Sequence, residues 1–290
     1  MKFNTKSLKQ TLILFFSGVL LLGAQQMNAQ NGTDTFGAMS YNKAVNVAGK
    51  QRMLGQKLAK SYLYLLNNPA DAKAKRDMMV SKLVFEKQNN ILMTNANSEL
   101  TKTRLIAVNT LWSDYVKLFD GIPKKANAKK IILMNTDLLK ASNDVVLAII
   151  QEAAIAQGGG DELDSDGLSE DSNSLKNIIN TSGKQRMLSQ RLALYYFATN
   201  KNLKEKSSEI TLKQVFLELD SALGTLLISE FNTARIDEKL AVAMTKWENL
   251  KTSVDKLYSH EIPEAEMYKM SNALTKAFND VTALYEKVKI

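Results

Sequence analysis

The sequence of 290 residues holds no cysteine, one histidine and three prolines. Without cysteine there is no disulfide, no thiolate metal site, no thiol nucleophile and no CxxCH haem attachment. His260 alone cannot build a histidine-rich metal centre or a di-iron bundle, which needs two Glu-x-x-His motifs. Proline falls far below the usual ~5%, and Leu, Ala, Lys, Met and Asn dominate, a balance that favours long helices over turn-rich β-folds. No nucleophile–base pair, phosphate loop or metal cluster is legible. No catalytic or metal-binding residue is therefore assigned, no cofactor is expected, and the chain reads as a non-enzyme.

Long apolar runs are equally scarce. The stretch from Thr11 to Ala24 follows Lys2, Lys6 and Lys9, and no acid precedes Asp34. This is the pattern of a secretory signal over residues 1–29, cleaved after Ala29, and it falls short of the ~20 residues that span a bilayer. Met27 fits the small-residue rule at the cleavage site imperfectly, so an uncleaved anchor is the alternative. The expected location is periplasmic or secreted, with no membrane span after cleavage. Beyond residue 29 the chain has 35 basic and 30 acidic residues, and six of the acids fall within 158–173. The remaining positive charge is scattered lysine without interleaved aromatics, so nucleic acid is not an expected partner.

What the sequence does contain is a duplication. Gly49-Lys-Gln-Arg-Met-Leu-Gly-Gln-Lys-Leu-Ala59 recurs as Gly183-Lys-Gln-Arg-Met-Leu-Ser-Gln-Arg-Leu-Ala193, with nine of eleven positions identical. Asn46 and Asn180 precede the two copies at one offset, and Tyr62 and Tyr196 follow them. Weaker echoes keep their order: Lys82-x-Val84-Phe85 with Lys213-x-Val215-Phe216, Trp112 with Trp247, and Lys140-Ala-Ser-Asn-Asp-Val145 with Lys276-Ala-Phe-Asn-Asp-Val281. The spacing predicts helices over 40–67, 70–95, 98–120 and 124–156, and again over 173–200, 205–230, 233–260 and 263–289. Pro69, Pro123 and Pro263 are expected at first helical positions. Short links make neighbours antiparallel. The predicted fold is all-α: two tandem up-down-up-down four-helix bundles, 40–157 and 173–290, with no strand and an acidic, Gly-rich linker at 158–172. Trp112, Trp247 and Met53, Met78, Met79 and Met187 are expected in the cores.

The first helix of each copy carries two apolar faces. Val47, Leu54, Leu58 and Leu65 supply one at helical spacing. The other runs Val45, Gly49, Arg52, Gln56, Ala59, Leu63, and in the second copy Ile179, Gly183, Arg186, Gln190, Ala193, Phe197. A glycine inside a helix costs ~1 kcal/mol against alanine, and an arginine on a packed seam needs a partner. A helix-on-helix interface with an anion between the arginines satisfies both oddities; pairing of each arginine with a carboxylate of its own bundle is the other reading.

The run Asn-x-Ala/Ser-Gly-Lys-Gln-Arg-Met-Leu-x-Gln-Lys/Arg-Leu-Ala resembles the PilJ-type sensor domain, the N-terminal domain of type IV pilus methyl-accepting chemotaxis transducers. It is also similar to the periplasmic domains of nitrate/nitrite sensor kinases. The resemblance implies a four-helix unit that pairs through its first helix and holds nitrate or nitrite between signature arginines, here Arg52 and Arg186. Gly49 and Gly183, Lys57 and Arg191, and Gln56 and Gln190 belong to the same implied ligand-binding set. A membrane-bound signalling partner is implied as well. The alternative function is a structural or adaptor protein that binds another exported protein and no small ligand.

Overall fold

The computed structural model describes residues 35–156, 175–199, 203 and 206–289. The expected signal segment and the 158–172 linker lie outside the described residues. A β-ribbon comes first, β1 (Thr35–Phe36) antiparallel to β2 (Met39–Ser40). Helices follow: α1 (Tyr41–Leu65), α2 (Ala72–Asn95), α3 (Glu99–Tyr115), a 3-10 turn (Val116–Phe119) and α4 (Lys125–Ala156). After these come α5 (Leu175–Ala198), α6 (Lys206–Leu227), α7 (Ala234–Lys251), the short α8 (Val254–Tyr258) and α9 (Glu264–Tyr285). The all-α reading holds, with one correction: the ribbon was not expected. Its turn runs through Gly37, at φ 57°. A Cβ there would stand 2.6 Å from Asn95 Oδ1, the atom that accepts the Ala38 N–H at 2.7 Å. Only glycine tolerates both constraints.

Side chains that satisfy orphan N–H groups set several helix starts. Ser40 caps α1, Asp71 caps α2, Ser98 caps α3 and Thr233 caps α7. The prolines therefore sit one to three residues further out than expected. Pro69 precedes the Asp71 cap, Pro123 lies two residues before α4, and Pro263 is itself the N-cap of α9. Asp71 accepts the Ala74 N–H at 2.8 Å and the Tyr64 hydroxyl at 3.1 Å. Asp71→Ala is expected to lower the unfolding free energy by about 1 kcal/mol, read from denaturant midpoints at constant m.

α1 packs against α2, α4 and α5; α3 packs against α4. The later helices repeat this pattern, with α5 against α6, α9 and α1, and α7 against α9. Hydrogen bonds fix the directions. Gln51 meets Asn89 and Tyr64 meets Asp71, so α1 and α2 are antiparallel; Arg52 meets Asn143 and Gln56 meets Asn135, so α4 is antiparallel to α1. Trp112 stacks on Phe85 at 3.9 Å and Trp247 meets Phe216 at 4.9 Å, equivalent pairs in the two halves. Both indoles are buried, as expected, and their N–H groups reach Glu86 and Asp220. Met187 is buried, whereas Met79 is 57% exposed on the outer face of α2, against the expectation of a core position.

α1 and α5 form the central pair. They run parallel, with Tyr64 against Phe197 and Gln56 against Arg191. Both helices are buried almost all round, including the polar Asn46, Gln51, Arg52, Gln56, Lys60 and Ser61 on α1. Both apolar stripes read from the sequence are therefore covered, one by the helices of its own half and one by the opposite half.

Candidate functional site: two arginines at the α1–α5 seam

Gly49, Arg52, Gly183 and Arg186 meet at the middle of this seam. A Cβ built on Gly49 would lie 3.3 Å from Nη2 of both arginines, which bounds the separation of those two nitrogens at 6.6 Å. A Cβ on Gly183 would lie 2.9 Å from Nη2 of Arg186. The two glycines thus make room for guanidinium groups laid against the backbone of the seam. Arg52 is 2% exposed and Arg186 is 0% exposed.

Each arginine reaches toward the N-terminal end of the opposite helix, the direction in which helical side chains lean. Arg52 Nη2 donates to Asn180 Oδ1 at 2.7 Å, and Nη1 donates to Asn143 Oδ1 at 2.6 Å. Arg186 Nη1 donates to Asn46 Oδ1 at 2.8 Å and to Asn279 Oδ1 at 3.2 Å. Each guanidinium therefore takes one asparagine from the last helix of its own half and one from the other half's first helix. The four asparagines stand at matching offsets in the repeats, which was the signal available in the sequence; their role there went unread.

The other reading, a carboxylate partner in the same bundle, is not met. Among the described residues no acid touches either guanidinium, and Nε of both is buried without an acceptor. The acid closest in the network, Glu286, accepts from the Asn46 amide and pairs with Lys43 at 3.1 Å, one residue removed from Arg186. Burial lowers Arg52 to about 10; burial and then the charge of Arg52 lower Arg186 to about 9, with Glu286 opposing. Both stay protonated at neutral pH. The seam therefore holds two like charges, close together and out of water, against neutral oxygens only.

The rest of the expected set does not join them. Lys57 pairs with Asp77 on α2 at 3.0 Å, away from the arginines, because an acid on its own bundle neutralises it. Gln56 exchanges both amide bonds with Asn135, and the Gln190 amide N–H donates to Thr275 at 2.6 Å while its Oε1 stays buried without a donor, so neither glutamine donates at the arginines. Arg191 donates to Gln56 at 3.3 Å and to Thr136 at 3.3 Å, further along the seam. One buried charge of α1 was missed altogether. Lys60 is fully buried and donates to Ser271 and Asn272 on α9.

Among the described residues no helix is long and apolar enough to cross a membrane, and no three His, Cys, Asp or Glu side chains cluster to hold a metal. No curated protein and no solved structure matches the chain. Residues 36–134, which take in the β-ribbon, α1 to α3 and the first turns of α4, match the PilJ family, described as "Type IV pili methyl-accepting chemotaxis transducer N-term". The match begins within the ribbon and includes Gly49 and Arg52, so residues 36–134 carry the sequence of a PilJ-type sensor domain.

Proposed function

We propose that the protein is an exported, non-enzymatic sensory module that holds one small planar oxyanion, nitrate or nitrite, between Arg52 and Arg186. The residues from 173 onward are read as a second copy of the PilJ-type unit, so that one chain supplies both halves of a pair and each half contributes one arginine. The observation that carries this reading is the juxtaposition of two buried guanidiniums with no carboxylate on either. Leaving like charges buried and uncompensated is costly. A planar anion between them supplies the missing charge and accepts from N–H groups that the protein leaves unused. Because the seam joins the two halves, an anion there also changes how α1 and α5 pack, which gives a signalling partner something to read.

Size bounds the affinity. A ligand of about four heavy atoms at ~1.5 kcal/mol each yields ~6 kcal/mol, or roughly tens of micromolar at best. Calorimetric titration with nitrate, nitrite, sulfate and phosphate tests the proposal. One site per chain, with the planar anions preferred over the tetrahedral ones, is expected. Two independent sites per chain, or no heat from any of the four at millimolar concentration, would refute it and favour the adaptor reading.

A further inference from the structure

Two grooves flank the central seam at pseudo-equivalent places, and their charges are not equivalent. The smaller, of about 270 Å³, is lined by Lys57, Lys73 and Lys276. Each of these is ion-paired: Lys57 and Lys73 with Asp77 at 3.0 and 3.5 Å, and Lys276 with Asp280 at 3.1 Å. The larger, of about 400 Å³, lies between the α1–α4 pair and the α5–α6 pair. Its Lys184 pairs with Glu218 at 3.3 Å. Lys140 and Arg191, on its two sides, meet no carboxylate among the described residues.

Arg191 is also held in place. It is 8% exposed, its two Nη atoms donate to Gln56 and Thr136, and its guanidinium lies 4.8 Å from the Tyr195 ring centroid. Each Nη keeps a second hydrogen, so a fixed planar fork remains available for a carboxylate. The first repeat has Lys57 at this position, a point charge without that fork. Leu139, Met187 and Leu188 supply an apolar wall to the same groove. A volume in the range of small-molecule sites, an apolar wall and convergent cations describe a binding pocket with a definite polarity.

We propose that this groove is a second ligand site that takes a small organic carboxylate, its head on Arg191 and Lys140 and its apolar body against Leu139, Met187 and Leu188. The site shares a wall with Arg52 but does not depend on an anion between the arginines. Neither an inorganic anion of four atoms nor a purely polar ligand would use the apolar wall.

Calorimetry of the full chain with benzoate tests this, with acetate as the head group lacking the apolar body. Saturable one-to-one benzoate binding, with weaker acetate binding, is expected. Lys140→Gln should weaken benzoate about tenfold, the loss of one charge-assisted contact, and Arg191→Gln, which removes the fork, by more than that. Lys276→Gln, at the equivalent place in the opposite groove, should leave it unchanged. Helical circular dichroism confirms that each variant is folded, and Lys140, on the rim, serves if Arg191→Gln is not. Excess nitrate should not displace benzoate, whose binding stays saturable and one-to-one in its presence. Absence of benzoate binding at tens of millimolar, equal affinity in wild type and Lys140→Gln, or simple competition by nitrate would each overturn the proposal. The last of these would leave a single anion site at the seam.

Discussion

Arg186→Gln is expected to remove nitrate binding. The variant keeps a polar, hydrogen-bonding side chain but loses the charge, the reach and the fork that a planar anion needs. Losing two charge-assisted bonds, at ~1.5–3 kcal/mol each, moves an affinity of tens of micromolar beyond roughly 1 mM. Arg52→Gln should behave alike, because its guanidinium occupies the equivalent place in the other half. Lys124→Ala, at an exposed residue just before α4, should titrate as wild type. Gly183→Ala provides a finer test. Its Cβ would stand 2.9 Å from Arg186 Nη2, so the guanidinium must move, while alanine favours the helix by about 1 kcal/mol. Weaker nitrate binding with unchanged or raised thermal stability is expected. Full nitrate affinity in both arginine variants would place the anion elsewhere. Arginine variants that lose several kcal/mol of stability, in a protein that never binds nitrate, would make the pair structural.

Lys60→Leu is expected to stabilise the protein. The Lys60 ammonium is fully buried, 3.1 Å from Ser271 Oγ and 2.8 Å from Asn272 Oδ1, and 4.0 Å from the Tyr268 ring centroid. Burial, with the charges of Lys57 and Lys73, holds it well below the usual lysine range, and Asp77 opposes only in part. The second repeat has Leu194 at the corresponding position, also fully buried, so a leucine suits this place in the helix pair. Replacing a buried charge of this kind by a packed apolar side chain stabilises by about 1–4 kcal/mol. The acceptors keep other partners, since Ser271 also bonds the Tyr268 carbonyl and Asn272 accepts from Gln190. The pH dependence carries the same signature. The folded-state value lies below the unfolded one, so between the two the unfolded chain binds the extra proton. Wild-type stability therefore rises with pH across that window and is lost as pH falls through the folded value. Denaturant unfolding at neutral pH and at about pH 9.5 should show this slope in the wild type and a smaller one in Lys60→Leu. A less stable variant at neutral pH, or an identical slope, would show that the lysine is fully compensated where it sits.

Much of the fold was legible because its signals are local. The helix spans follow from periodicity and from the scarcity of proline and glycine, and the observed ends differ by a few residues where caps intervene. Asp71 rather than Pro69 opens α2, because a side-chain oxygen that accepts an orphan N–H fixes a helix start more firmly than a preset φ does. The β-ribbon escaped notice because its two strands are two residues each and depend on Asn95, far along the chain, for a backbone partner.

The site divides in the same way. That Gly49, Arg52, Gly183 and Arg186 share a stripe, and that the stripe recurs, is a matter of the 3.6-residue period and the repeat alone. Sequence therefore determined that two arginines stand on one face of two similar helices. Tertiary structure decided that these faces meet in parallel, that asparagines rather than acids receive the guanidiniums, and that Asp77 draws Lys57 away while Arg191 keeps its fork. It also buried Lys60, a residue that reads as an ordinary surface lysine in the chain. The physical reason is that helical periodicity is set within a few turns of one segment. A charged side chain's partner is set by whichever groups the neighbouring helices bring within about 3 Å of it, from residues some twenty to two hundred positions away.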